Sequence, residues 1–290
     1  MVRLSQGCVI ILLATFSIVN AWAFEVGGMK TPNSFIVDPS TGNYFVSNIN
    51  GHPLKKDNNG FISKIDSQGK LIDLHFIQGG KNRIYLNAPK GLVLFGNNLY
   101  VADIDTIRQF DTTTGKLLGS VDFSLLGAKL LSSLATDHKY RIYISDTLGN
   151  FIFWMEPTHN NRVGILAKGP ALGQPNGLVY DLPNKRLLVA TWKTGKILFV
   201  NLNGQVLPLF RQKGLKNLYG LDLDQEGNII FSSFSGGKIF RVKNYQTMEI
   251  IREGLNTPAD ISVDKAKNKI LTPSFEGNRI QSFPIPASKN

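Results

Sequence analysis

The chain has 290 residues, 42% hydrophobic and 18% charged, a balance that excludes a disordered chain and suffices to bury a sizeable core. Lysine and arginine outnumber acids 32 to 21, for a formal net charge of +11, but they are spread over many turns with acids among them. That dispersal points to a solvated basic surface and away from a nucleic-acid partner.

Residues 1–23 carry one charge, Arg3, then an apolar run from Cys8 to Val19 and an Ala21-Trp22-Ala23 cleavage pattern. Together these predict a secretory signal peptide and export to the periplasm or beyond it. A membrane anchor is the competing reading, and the run is shorter than the roughly 20 residues a spanning helix needs. After cleavage no membrane span is expected. Cys8 is the single cysteine, so the mature chain 24–290 has no disulfide, thiolate metal site or cysteine nucleophile.

From residue 32 onward one unit recurs six times: a short apolar strand, an Asp/Asn/Gly turn, a second strand ending in small or polar residues, and a third strand. The copies begin at Pro32, Pro89, Leu131, Pro175, Leu218 and Pro258, at intervals of 57, 42, 44, 43 and 40 residues. This is the spacing of a four-stranded propeller blade. The first interval is lengthened by an inserted loop, Asn50 to Gly60, rich in turn residues and placed where loops often line sites.

The second strands are the clearest part of each copy. Tyr44-Phe45-Val46-Ser47-Asn48, Leu99-Tyr100-Val101-Ala102-Asp103 and Leu187-Leu188-Val189-Ala190-Thr191 are near-continuous apolar runs, as strands buried on both faces require. The sixth copy lacks an outer strand, and open sheet edges invite mispairing, so Phe24 to Gly28 is expected to supply it and close the ring. A three-stranded last blade is the alternative. Sustained helical periodicity is absent outside the leader. The sequence therefore predicts an all-β, six-bladed β-propeller with four-stranded blades, closed by an N-terminal strand; a β-sandwich explains the regular copies less well.

In such a ring the first strand starts on the face where the second strand ends, which defines a central pocket. The first-strand starts place Asn33, Lys90, Ser132, Asn176, Tyr219 and Ala259 there, and the second-strand ends place Asn48, Asp103, Asp146, Trp192, Phe234 and Phe275. Polar groups with aromatic walls suit a small molecule, although propeller channels are also commonly polar and wet without doing chemistry. Lys81, Arg83, Lys90, Arg211, Lys213 and Lys216 lie in connections at this face and suggest an anionic ligand.

Conventional catalytic signatures are missing. Of the histidines, 52, 75, 138 and 159, only His52 in the inserted loop is expected near the pocket, and a lone loop histidine is usually solvated. No G-x-S-x-G elbow, Walker loop or H-E-x-x-H helix occurs. The stretch from Asp222 to Gly227 begins like a calcium loop but has Ser233 where a bidentate Glu belongs.

Pro32 to Asn50, Asn59 to Lys64, Ala88-Pro89-Lys90-Gly91, Tyr100 to Asp105, Pro175-Asn176-Gly177-Leu178 and Pro258-Ala259-Asp260-Ile261 carry a resemblance to the senescence marker protein / gluconolactonase / luciferin-regenerating enzyme family, over essentially residues 30 to 286. The resemblance implies a metal-dependent lactone or phosphoester hydrolase, with one divalent cation held by a Glu, two Asn and an Asp at blade starts. Those positions are here Asn33, Ser132, Asn176 and Tyr219, so only Asn176 is retained. Each lost carboxylate removes on the order of 4 kcal/mol per unit charge pair at about 4 Å and an effective dielectric near 20.

Two readings follow. The first is a propeller without that metal, which binds a small molecule, possibly anionic, or a protein partner at the pocket, and needs no cofactor. The second is a divergent hydrolase whose calcium, magnesium, manganese or zinc site is rebuilt from Asp103, Asp146 and Asn176. The bland account of both aspartates is that they accept hydrogen bonds from nearby loop backbone.

Overall fold

The computed structural model describes residues 24–210, 212 and 214–287. The expected signal peptide, and Arg211 and Lys213 of the basic connection, lie outside the described residues.

Six four-stranded antiparallel sheets form the ring. Blade one runs Pro32–Val37, Tyr44–Asn48, Phe61–Ile65 and Leu71–Gln78, and blades two to five repeat that order. Helix among the described residues amounts to two 3-10 turns, Ser124–Leu126 and Pro170–Leu172, in the connections into blades three and four.

The N-terminal strand closes the ring as the sequence predicts. Phe24–Gly27 pairs antiparallel with Arg279–Pro284, Phe24 opposite Ser282 and Gly27 opposite Arg279. Phe24 also packs its ring on Phe35 and Tyr44 of blade one. The last blade is thereby locked to the first at its rim as well as at the hub.

Each second strand is sandwiched between neighbouring blades. Phe45 and Ile62 of blade one, for example, pack with Leu92, Leu99 and Val101 of blade two, all buried. Burial on both faces is why these strands read as apolar runs instead of alternating ones.

Close to the axis the blades approach at glycines. A Cβ at Gly91 would stand 2.3 Å from the Ser132 carbonyl oxygen, and one at Gly177 would stand 2.4 Å from that of Tyr219. Serine side chains tie the same strands together in alternate blades. Ser47, Ser145 and Ser232 each accept an amide hydrogen of their own first strand and donate to the Lys90, Asn176 and Ala259 carbonyls of the next blade.

Blade six departs from the expected pattern at its start. Its first regular strand is only Ser262–Asp264, because the preceding chain turns toward blade one. The Asp260 amide donates to the Asn33 carbonyl at 2.9 Å, and Asp260 bridges Ser34 in parallel register.

Candidate functional site: the propeller hub

A β-bulge re-aims the chain at the hub in each of blades one to five. In blade one Pro32 opposes Asn48 while Phe35 opposes Val46, so one extra residue sits in the first strand. The same shift recurs after Pro89, Leu131, Pro175 and Leu218. Such a bulge bends the strand and redirects a side chain. The redirected positions are Asn33, Lys90, Ser132, Asn176 and Tyr219, with Ala259 at the equivalent place in blade six.

The second-strand ends split into two rings. Asn48, Asp103 and Asp146 are the last strand residues and pair with Pro32, Pro89 and Leu131, whereas Trp192, Phe234 and Phe275 lie one residue further on. One step along a strand sends a side chain to the other side. The true companions of the three aromatic residues are Ile49, Ile104 and Thr147.

The inner of these rings is structural in five blades, while in blade four the Thr191 hydroxyl bonds Thr194 and Lys196 in the turn that follows its strand. Asp103 accepts the Asn87 and Ala88 amides and the Arg108 guanidinium, the last at 2.8 Å. Asp146 accepts the Lys129, Leu130 and Gly149 amides at 2.8–2.9 Å. Asn48 accepts the Lys30 amide, and Ser233 and Ser274 donate to the Lys216 and Asn256 carbonyls. All five are buried and hold the turn that precedes their own first strand. The hydrogen-bonding reading of Asp103 and Asp146 therefore describes their surroundings.

The outer ring is an apolar collar. Trp192 packs on Tyr219 and Phe234 with ring centroids 5.8 and 5.5 Å apart, and Phe234 meets Phe275 at 5.5 Å. Phe275 in turn packs on Ile49, Ala88 and Ile104. The four aromatic residues are half-buried, so their rings still meet solvent. Thr147 is the polar member, and its hydroxyl is committed to Ser132 and the Pro175 carbonyl.

The polar ring lies beside that collar. The Asn33 amide donates to the Tyr219 hydroxyl at 2.5 Å. Burial raises the Tyr219 hydroxyl well above its ordinary range, so it stays protonated. Asp260 is also buried, and desolvation, reinforced by the Asp222 charge, pushes its carboxyl up to about 7 against a hydrogen bond from Ser34.

Lys90 is the charged member. It is only 2% exposed, and its ammonium donates to the Pro53 carbonyl at 2.8 Å and the Ala88 carbonyl at 3.2 Å. Desolvation pushes it down to about 7, partly opposed by Asp103. Pro53 belongs to the inserted loop, which is strapped to the start of blade two by Asn58, whose amide donates to Asn87 and whose side-chain oxygen accepts the Leu86 amide. The insertion thus supplies part of the site. Lys81, Arg83 and Lys216 are exposed, so the structure separates them from buried Lys90.

His52 is exposed in the inserted loop, and His75 is in the outer strand of blade one. Asp224 accepts the Glu226 and Asn228 amides, so the calcium-like stretch is a strand followed by a turn. Sequence reasoning missed a peripheral cleft of about 200 Å³ between blades five and six, lined by Glu25, Leu255, Asn256, Arg279 and Gln281. Its walls come from opposite ends of the chain, which leaves no local signal.

No family model and no curated protein matches the chain. Among solved structures it is similar to a catalytically inactive histidine-to-alanine variant of virginiamycin B lyase from Staphylococcus aureus with quinupristin, at 15% identity and a TM-score of 0.62, covering 91% of this chain and 99% of that one. A streptogramin B lyase structure aligns at 11% identity and a TM-score of 0.61, over 89% and 97% of the two chains. A Bacteroides thetaiotaomicron protein of unknown function gives 12% identity and a TM-score of 0.67, over 88% of this chain and 70% of that one. At these identities the likeness is one of fold.

Proposed function

We propose that this is an exported propeller that holds a small molecule at its hub and carries out no metal-dependent hydrolysis there. The division of the hub into an apolar collar, from Trp192 through Phe275 to Ile104, and a polar ring that includes Lys90 supports this reading. Apolar walls supply affinity and a few fixed polar groups supply orientation, which is what a small-molecule site requires.

The resemblance to the gluconolactonase family, carried by the blade-start motifs, would place a hydrolytic dication among Asn33, Ser132, Asn176 and Tyr219. That donor set does not suit one. It contains no carboxylate, Asn33 turns an amide hydrogen toward Tyr219, and Ser132 is engaged with Thr147. Hard cations select oxygen-rich, negatively charged shells.

The structural neighbours also raise a lyase reading, which the hub-facing residues do not support by themselves. The virginiamycin B lyase variant is inactive with a histidine replaced by alanine. None of the twelve hub-facing positions of this chain, six in the polar ring and six in the collar, holds a histidine.

Native mass spectrometry of the mature protein from its own host tests the proposal. A bound organic mass that disappears in Phe234→Ala is the expected result. A stoichiometric dication retained in place of it would overturn the reading.

A further inference from the structure

Among the described residues, the largely buried cations have anionic partners, with one exception. Arg108, Arg186 and Arg241, all largely buried, meet Asp103, Asp181 and Glu249 at 2.8, 2.8 and 2.6 Å. Lys90 is as buried as any of them, yet it makes no ion pair among the described residues and bonds only to two backbone carbonyls. A buried ammonium is costly unless paired, and carbonyl dipoles are a weaker substitute for a full negative charge.

An ammonium also has three hydrogens to donate, and the carbonyls of Pro53 and Ala88 take two. The third has no acceptor among the described residues. Ala88, whose carbonyl holds the ammonium, packs in the same cluster as Phe275, so the cation stands next to the aromatic collar. One site thus offers an ammonium that Asp103 supports only from beyond ion-pair distance and, beside it, half-buried aromatic surface.

We infer that the hub binds an amphipathic monocarboxylate, with its carboxylate against Lys90 and its apolar body against Trp192, Phe234 and Phe275. This rests on the hub being a small-molecule site and adds the chemical class. The single unmatched cation sets the charge at one. The Asn33 amide is spent on Tyr219, so a dianionic phosphate would find few donors beyond Lys90.

The occupant's neutral reference is an amide of the same shape. Calorimetric titration of the mature protein with 1-naphthoate and 1-naphthamide compares the two directly. The carboxylate is expected to bind at least tenfold more tightly, and Lys90→Met is expected to erase that preference. The wild-type ratio alone is decisive if the variant folds poorly. Equal binding of both probes to the wild type would overturn the role of Lys90 and leave the hub site standing. Binding of neither would remove the hub site itself.

Discussion

The side-chain amide of Asn33 in blade one donates to the hydroxyl of Tyr219 in blade five at 2.5 Å, past blade six. Ala259 is the blade-six residue at that level, and its methyl group leaves the path open. The family resemblance assigns a Glu and an Asp to these two positions as cation ligands. Here they satisfy each other, and Tyr219 remains a neutral phenol.

Placing acids at these two positions should therefore create a cation site. Calorimetric titration with calcium, magnesium, manganese and zinc is expected to give no saturable binding to the wild type. The double variant Asn33→Glu, Tyr219→Asp is expected to gain calcium binding, because two carboxylates then join Asn176 in the polar ring. Tight calcium binding by the wild type would contradict the assignment.

Asp103 and Asp146 give opposite expectations as clamps and as metal ligands. As a clamp, Asp103→Ala strands two buried amides and the Arg108 guanidinium, which costs about 3–5 kcal/mol. Asp146→Ala strands three amides without a charged partner, at about 1–3 kcal/mol. Urea unfolding with unchanged slope should rank the two in that order. If either substitution left the midpoint unmoved, the structural role would fail for that residue.

Much of the ring was legible because its cause is periodic. Six apolar second strands at regular spacing can bury both faces only between stacked neighbours, and the missing outer strand of blade six left Phe24 to Gly27 as the available edge partner. The site was less legible for a reason of register. Asn48, Asp103 and Asp146 look equivalent to Trp192, Phe234 and Phe275 by strand-end position, yet one residue separates the two rings. Strand ends shift by a residue without changing the apolar run, whereas the side chain reverses. The bulges that aim Asn33 and Lys90 at the hub left no compositional mark, since Pro, Leu, Asn, Lys and Ser all precede or occupy them. The pairing of Lys90 with Pro53 depends on where an eleven-residue insertion folds back, which follows from its contacts with blade two and not from its own sequence.

Stability should pass through a dip near neutral pH, because two hub groups are displaced in opposite directions. Asp260 moves from 3.8 to about 7 through burial, with Asp222 adding to the shift. Between about 4 and 7 the folded protein keeps a proton that the unfolded chain has released, so stability falls as pH rises through that window. Lys90 moves from 10.5 down to about 7, with Asp103 the acid facing it. Between about 7 and 10.5 the unfolded chain holds the extra proton, so stability rises with pH there. Asp260→Asn should flatten the acid limb, leaving a residue from Asp222, itself raised by burial. Lys90→Met should flatten the alkaline limb alone. Urea midpoints at about pH 4.5, 7 and 9.5 separate the two contributions. An alkaline limb unchanged in Lys90→Met would mean that the buried amine is not the group that titrates, and the desolvated, unpaired state assigned to it would have to be abandoned.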